Sequence, residues 1–462
     1  MKTGKQRQWL PRLGIVGVLL FVGIDTLQAQ RLVWLGQLNG KDTFAMDVSD
    51  EGPVVVGYNS VLRAFRWTEA DGLQDLGSRF PLTEKSTATG VSLDGQVVVG
   101  SSRGAFRWTS ATGMQDFLPE LGSDYGFEDT YTWRVGISAD GATIVGTIVH
   151  HTFLHAFRWT ETDGFQDLHP YHPAQGGTHS FAYGVSGDGS VVVGTVTIGT
   201  QADNPRRAFR WTEANGMQEL GSLGGDESSA YAASADGSVV VGWAENAAGN
   251  RRPFRWTTTG GMQELPSLGL ISEVSDVSAN GRVMVGYYID NNSGEPRAIR
   301  WFQFLLVSYR NLTAYYADLL SPGSYLAEAR AVSPNGRYIV GYGYNAETGN
   351  TEAFLLDTQA ATSVAEEELP AGFMLEGGAP NPFSTTTTIR FVVAQPTHVR
   401  LEVFDLLGRR VRTLVDRWIS AGEQEVGWDG KDATGRSLPA GVYVCRLTTE
   451  RGQQSKALTI VR

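Results

Sequence analysis

From Leu32 to Asp357, short runs of β-branched and aromatic residues alternate with clusters of Gly, Asp, Asn and Ser. Apolar runs of this length, bounded by turn formers, predict strands rather than helices. One pattern recurs seven times: "VSDEGPVVVG" (Val48–Gly57), "VSLDGQVVVG" (Val91–Gly100), "ISADGATIVG" (Ile137–Gly146), "VSGDGSVVVG" (Val185–Gly194), "ASADGSVVVG" (Ala233–Gly242), "VSANGRVMVG" (Val277–Gly286) and "VSPNGRYIVG" (Val332–Gly341). The serines, from Ser49 to Ser333, are spaced by 43, 46, 48, 48, 44 and 55 residues. A second motif interleaves, from "AFRWTEADGLQDLG" (Ala64–Gly77) to "PFRWTTTGGMQEL" (Pro253–Leu265), with worn copies at Ala298–Trp301 and Ala353–Leu356. Each unit predicts four strands: the "DLGSL" stretch, the run into the serine, "VVVG" and "AFRWT". Four strands in each unit of roughly 40–50 residues is the period of a β-propeller, and seven units predict seven blades over residues 30–357. A solenoid is the competing architecture. The closed ring is preferred because it protects sheet edges and no capping unit is visible.

The pattern changes after Asp357. Residues 358–376 read as a linker, and residues 377–462 hold alternating runs separated by Gly, Asp or Pro turns. The predicted fold class is all-β: a seven-bladed β-propeller followed by a small Ig-like antiparallel β-sandwich.

The Asp-Gly pair invites three readings: a metal loop, a sialidase-like Asp-box, or a turn. The seven copies decide between them. The acid position holds Glu51, Asp94, Asp140, Asp188, Asp236, Asn280 and Asn335, while the glycine is constant. A metal ligand or catalytic carboxylate would lose its charge in two copies, and an Asp-box needs a later Thr-Trp pair that these units lack. The motif is therefore predicted to be a two-residue type I′ turn, with Gly95, Gly141, Gly189, Gly237, Gly281 and Gly336 as turn glycines. A hairpin centred between Ala70 and Asp71 would set Arg66 opposite Asp75. The same offset pairs Arg107 with Asp116, Arg158 with Asp167, Arg210 with Glu219 and Arg255 with Glu264, a predicted cross-strand ladder. Trp67, Trp108, Trp159, Trp211, Trp256 and Trp301 are predicted to pack between blades.

Charge and the N-terminus set the compartment. Lys2, Lys5, Arg7 and Arg12 precede an apolar stretch from Leu13 to Ile24, and Ala29 follows as a cleavage position. Residues 1–29 thus read as a signal peptide, too short for a comfortable membrane span. Their removal takes away four basic residues and one acid, leaving 34 basic and 48 acidic residues, a net charge of −14. So acidic a chain is a poor binder of nucleic acid or anionic membrane. No later segment has the length and apolarity of a transmembrane helix. Cys445 is the single cysteine, so no intrachain disulfide forms.

In a meander, alternate turns share a face. The Asp-Gly and "TEADG" turns are short and nearly constant, whereas the connections from "VVVG" to "AFRW" vary from 4 to 13 residues. Those connections and the ones after "LG" share the opposite, variable face, where binding is predicted. Its candidates are Glu128, Asp129, Trp133, Asp226 and Glu227. His150, His151, His169, His172 and His179 lie in two connections of that face, as a weak metal candidate or as solvated loops. Their spacing matches no compact ligand motif. In the sixth unit "FQFLLVSYRNLTAYYADLL" (Phe302–Leu320) replaces the short turn, as an elongated hairpin, a short helix or a partner-binding patch.

Two resemblances attach to these residues. The AFRW units, with "HAF" intact at His155–Phe157, resemble the HAF family of extracellular repeats, which implies secretion and a propeller-like fold but no established ligand or reaction. The tail, with "NPF" (Asn381–Phe383), "VFDLLGRRV" (Val403–Val411), "WDGKD" (Trp428–Asp432), "AGVYVCRL" (Ala440–Leu447) and "KALTIVR" (Lys456–Arg462), resembles the C-terminal sorting domain of the type IX secretion system of Bacteroidetes-type bacteria. That resemblance implies export across the outer membrane and removal of the domain by a sortase-like peptidase, with the cargo anchored to the surface or released.

The expected function is a secreted or cell-surface propeller that binds a glycan or a protein through its variable face. No cofactor is expected. A propeller hydrolase or lyase acting on extracellular polysaccharide is the alternative. It would require polar residues that break the repeat and converge, and no Ser-His-Asp set or strong metal motif is evident.

Overall fold

The computed structural model describes residues 30–461 except 51, 79–84, 103, 118–124, 127–133, 151–152, 170–178, 200–204, 270, 304–306, 359–372, 394–395, 406–407, 421 and 450–451. The leader with Ala29, most of the predicted linker, and Glu128, Asp129, Trp133, His151 and His172 lie outside the described residues.

Seven antiparallel sheets follow one another along residues 31–357. The first contains Thr43–Val48, Val55–Asn59, Ala64–Thr68 and Gly72–Asp75 in that spatial order. Each innermost strand runs into the motif serine, "VVVG" is the second strand, "AFRWT" the third and "LQD" the outermost. The expectation that "DLGSL" opens each unit is corrected by one strand, since that stretch closes the preceding blade. Hydrophobic clusters join every blade to the next. One of them unites Ala45, Val55 and Phe65 of blade 1 with Ala331, Val340 and Leu355 of blade 7, so the ring is closed rather than solenoidal. Closure is also covalently offset. The outermost strand of blade 7 is Arg31–Gly36, from the start of the propeller, paired antiparallel with Asn350–Asp357. The tryptophans pack between blades, Trp67 against blade 7 and Trp108 against blade 1.

The Ser-x-Asp-Gly turns differ from the type I′ prediction. In the second blade Gly95 N–H bonds Ser92 C=O at 2.9 Å, and only Gly95 carries positive φ, +69°. Ser92 Oγ accepts from Val97 N–H at 3.0 Å and donates to Asp94 Oδ1 at 2.6 Å, which also accepts Gln96 N–H at 3.0 Å. The acid is thus a structural acceptor. An amide oxygen serves equally: Asn280 Oδ1 and Asn335 Oδ1 accept from their serines at 2.8 Å. The turns also touch one another. Backbone N–H groups of Asp50, Leu93, Ala139, Asp188, Ala235 and Ala279 each donate to the turn of the following blade, and Asn335 N–H returns to Asp50 Oδ1 at 3.1 Å. A hydrogen-bonded circle therefore lines one end of the ring.

The predicted arginine ladder is corrected by one residue. Phe65 faces Asp75, and Arg66 faces Gln74, with equivalent registers in the next four blades. The cause is the loop: Thr68 pairs with Gly72, leaving three residues between them, and Gly72 takes φ of +69°. A three-residue loop ending on a left-handed glycine shifts the register relative to a two-residue turn. The motif acid pairs instead with the residue before the alanine: Arg63 with Asp75 at 3.1 Å, His155 with Asp167 at 2.8 Å, and Arg252 with Glu264 at 3.6 Å. The "AFRW" arginines reach across blades, as Arg210 Nε does to Gly237 C=O at 3.3 Å.

In the sixth unit Pro296–Gln303 and Val307–Asn311 make a longer hairpin, and a short helix follows at Leu312–Tyr315, its Leu312 buried against blade 7. Beyond residue 372, two sheets of three and four strands, Phe373–Ala379 to Gly452–Ile460, enclose one core containing Phe391, Trp428, Leu447 and Cys445. Burial pushes the Cys445 thiol up to about 12. Among the described residues no helix is long and apolar enough to cross a membrane.

Candidate functional site

Each innermost strand must place residues beside the axis of the ring, and a β-bulge does this in six blades. The bulged residues, three before the serine, are Met46, Thr89, Tyr183, Tyr231, Ser275 and Arg330. A bulge bends its strand and re-aims a side chain. The opposing glycine of "VVVG" makes it sterically possible. A Cβ on Gly57 would collide with the Phe44 carbonyl of the innermost strand and with the ring of Phe65. The constant glycine and phenylalanine of the repeat thereby support positions that are not constant at all.

Those positions bring charge together. Asp47 and Asp276 stand two residues before their serines, where other blades have Gly or Ala. Asp47 accepts Val48 N–H at 2.8 Å and Val91 N–H of the next blade at 2.9 Å. Asp276 accepts Val332 N–H of its next blade at 2.8 Å. Arg134 comes from the third blade and reaches Ser275 C=O of the sixth at 3.5 Å, with its guanidinium 5.8 Å from the ring of Tyr231. Burial, and then repulsion from Asp276, holds the Asp47 carboxyl up at about 7, against its two N–H donors and Arg134. Burial likewise holds Asp276 at about 6. Asp47, Arg134 and Asp276 are only half-buried by exposure. Surrounded by protein yet partly open to solvent, they line an axial channel, and Arg134 crosses it.

Nearer the variable face the lining changes. Glu273 and Glu328 are buried, and each faces a tyrosine of the second strand, Tyr287 and Tyr342. Arg251 lies 3.5 Å from Glu273 and 4.1 Å from the Trp243 ring. Arg330 lies 2.5 Å from Glu328. Trp243 Nε1 donates to the Tyr231 hydroxyl at 2.9 Å, Tyr183 meets Tyr231 edge-on at 5.7 Å, and Phe44 meets Tyr342 edge-on at 5.0 Å. Burial raises Glu273 above the ordinary carboxylate range, and raises Tyr231, Tyr287 and Tyr342 above the ordinary phenol range.

The sequence candidates sit elsewhere. Asp226 and Glu227 begin the innermost strand of blade 5, Asp226 exposed, and both backbone N–H groups donate to Glu245 Oε2 at 3.3 and 3.2 Å. His150 ends the second strand of blade 3. His169 stacks on His155 at 4.2 Å and its Nδ1 lies 2.9 Å from Ser180 Oγ. His179 Nδ1 accepts Leu154 N–H at 3.0 Å, and burial lowers its imidazole below the usual range. The described histidines thus hold the junction of blades 3 and 4 together. Among the described residues no group of three or more His, Cys, Asp or Glu is arranged to hold a metal ion. Gly95, Gly141, Gly189, Gly237, Gly281 and Gly336 all carry positive φ in their turns. The axial residues were missed because attention went to the loops. Their signal is in the repeat itself, as Asp47, Arg134, Glu273, Asp276, Glu328 and Arg330 interrupt the unit just before the serine.

Among solved structures, the chain is similar to virginiamycin B lyase from Staphylococcus aureus at 13% identity, covering 71% of this chain and 99% of that one, with a TM-score of 0.43. It is similar to Kuenenia stuttgartiensis hydrazine synthase at 12% identity, over 69% and 98%, with a TM-score of 0.38. TolB from Acinetobacter baumannii matches at 11% identity and a TM-score of 0.35, over 70% of this chain, which spans 64% of that one. No curated protein matches. Residues 383–453 match the family of the FlgD Ig-like domain, in agreement with the two-sheet sandwich found there.

Proposed function

We propose that this chain is a secreted or cell-surface β-propeller of the HAF-repeat type that binds an extracellular glycan or protein. In this reading the C-terminal Ig-like domain is a type IX sorting domain, recognised by that machinery and its sortase-like peptidase. The observation that carries the binding reading is the axial cluster. Within one chain, seven copies keep their turn, core and packing residues, while the positions beside the axis become unique polar and aromatic groups. Packing alone does not require Arg134, Glu273 or Arg330 there. Binding is favoured over hydrolysis because each axial carboxylate is already engaged, by backbone N–H groups at Asp47 and Asp276 and by arginine at Glu273 and Glu328. Support for export comes from the leader ending at Ala29, cleavage after which leaves the closing strand Arg31–Gly36 intact, and from the ordered tail motifs. The test is to follow the tagged full-length chain in a type IX-competent cell. The chain is expected at the outer surface or in the medium, and a variant lacking residues 377–462 is expected to stay in the periplasm. Equal export of both would overturn the sorting role.

A further inference from the structure

We propose that the axial cup on the variable face, walled by Glu273, Tyr287, Glu328, Arg330, Tyr342 and Trp243, is a binding site for a neutral saccharide; this rests on the binding reading above and names its ligand class. The argument begins with charge. Each mouth carboxylate has its own arginine, Arg251 for Glu273 and Arg330 for Glu328, so the wall presents alternating donors and acceptors with little net charge. An ionic ligand would have to break one of these pairs and leave its partner buried and uncompensated, which is costly. A polyol needs no such break, because each hydroxyl donates to a carboxylate and accepts from a guanidinium or phenol.

The cup also has unfilled hydrogen-bonding capacity. Glu328 is 8% exposed, and its Oε2, although in ion-pair range of Arg330, has no hydrogen-bond partner of acceptable geometry. Arg330 Nε is likewise buried and unpartnered. Buried polar atoms in a native fold are almost always paired, so a donor and an acceptor left open side by side point to something that completes them. The aromatic groups supply the apolar share: Tyr231, Tyr287, Tyr342, Phe44 and Trp243 are amphipathic or flat surfaces of the kind that line ligand pockets. Below them Arg134 spans the ring from blade 3 to blade 6, giving the cup a floor. The hydrogen-bonded circle of turns lies beyond it. Entry is therefore from the variable face.

The experiment is isothermal titration calorimetry of the full chain with soluble mixed-linkage β-glucan, xylan and mannan, and with alginate and chondroitin sulfate as anionic arms. At least one neutral glycan is expected to bind. Glu328→Gln and Tyr342→Phe are expected to weaken it about tenfold or more, which corresponds to about 1.4 kcal/mol. Asp71→Ala, on the opposite face, is expected to leave it unchanged. Should Glu328→Gln fail to fold, as read by its melting curve, Tyr342→Phe, which removes one hydroxyl, decides. Binding of anionic glycans alone, or neutral binding untouched by Tyr342→Phe, would overturn the axial neutral site while leaving the chain a binding protein. Absence of binding to any neutral glycan would overturn the saccharide assignment and leave a protein ligand as the form of the proposed function.

Discussion

Asp47 and Asp276 show how a single residue can carry a charge into the middle of a repeat. Both accept backbone N–H groups from the next blade, so each stitches two innermost strands together. Both are nevertheless held above their ordinary range, since burial outweighs those donors. The sign for stability follows. An ordinary aspartate titrates near ~3.9 and Asp47 near about 7, so between these values the folded chain binds more protons than the unfolded chain. This contribution is fully present below the unfolded value and is lost as pH rises to about 7, above which it is flat. The urea midpoint of Asp47→Asn is therefore expected to fall less than that of the parent between pH 5 and pH 8. An unchanged difference between the two pH values would refute the shift. At the turns, Ser234 Oγ accepts the buried Val239 N–H at 3.0 Å. Ser234→Ala is expected to cost about 1–3 kcal/mol, the penalty of an orphaned buried donor. Asp236→Asn is expected to change stability by no more than about 0.5 kcal/mol, because two sibling turns already use the amide. Chemical denaturation checks both.

At the scale of the element, hairpin register is what a one-residue error in loop length undoes. A two-residue turn and a three-residue loop with a left-handed glycine fit the same run of letters, yet they assign the motif acid to different partners. A double-mutant cycle reads the difference directly. Arg63 and Asp75 are expected to couple by about 0.2–1 kcal/mol, and Arg66 and Asp75 by nothing measurable. The reverse result would restore the offset predicted from sequence. The same lesson holds for the bulge. Seven near-identical units made the strands legible from period and turn residues, because those depend on local sterics. The bulge that turns Tyr231 or Arg330 toward the axis depends on a glycine in the neighbouring strand and leaves no period of its own.

For the whole molecule, closure is carried by the strand Arg31–Gly36, which completes blade 7 beside Asn350–Asp357. Removing residues 1–36 would uncover that strand edge and the partly buried Trp34 side of the blade 6–7 core. Such a truncation is expected to lower the melting temperature and promote association, read by calorimetry and light scattering. A chain that melted and sedimented like the full length would show that the ring closes without it.

By itself the sequence determined the strand content, the number of blades, the second β domain and the existence of a constant and a variable face. Each of these rests on local rules: β-branched runs, turn glycines, a period of four strands and the antiparallel alternation of connections. Tertiary structure alone decided which strand opens a blade, which strand closes the ring, and which residues from seven separate units share the axis. Arg134 and Ser275 are 141 positions apart and meet only because the ring brings blades 3 and 6 face to face. Convergence over that distance is a property of the closed circle, and no local pattern encodes it.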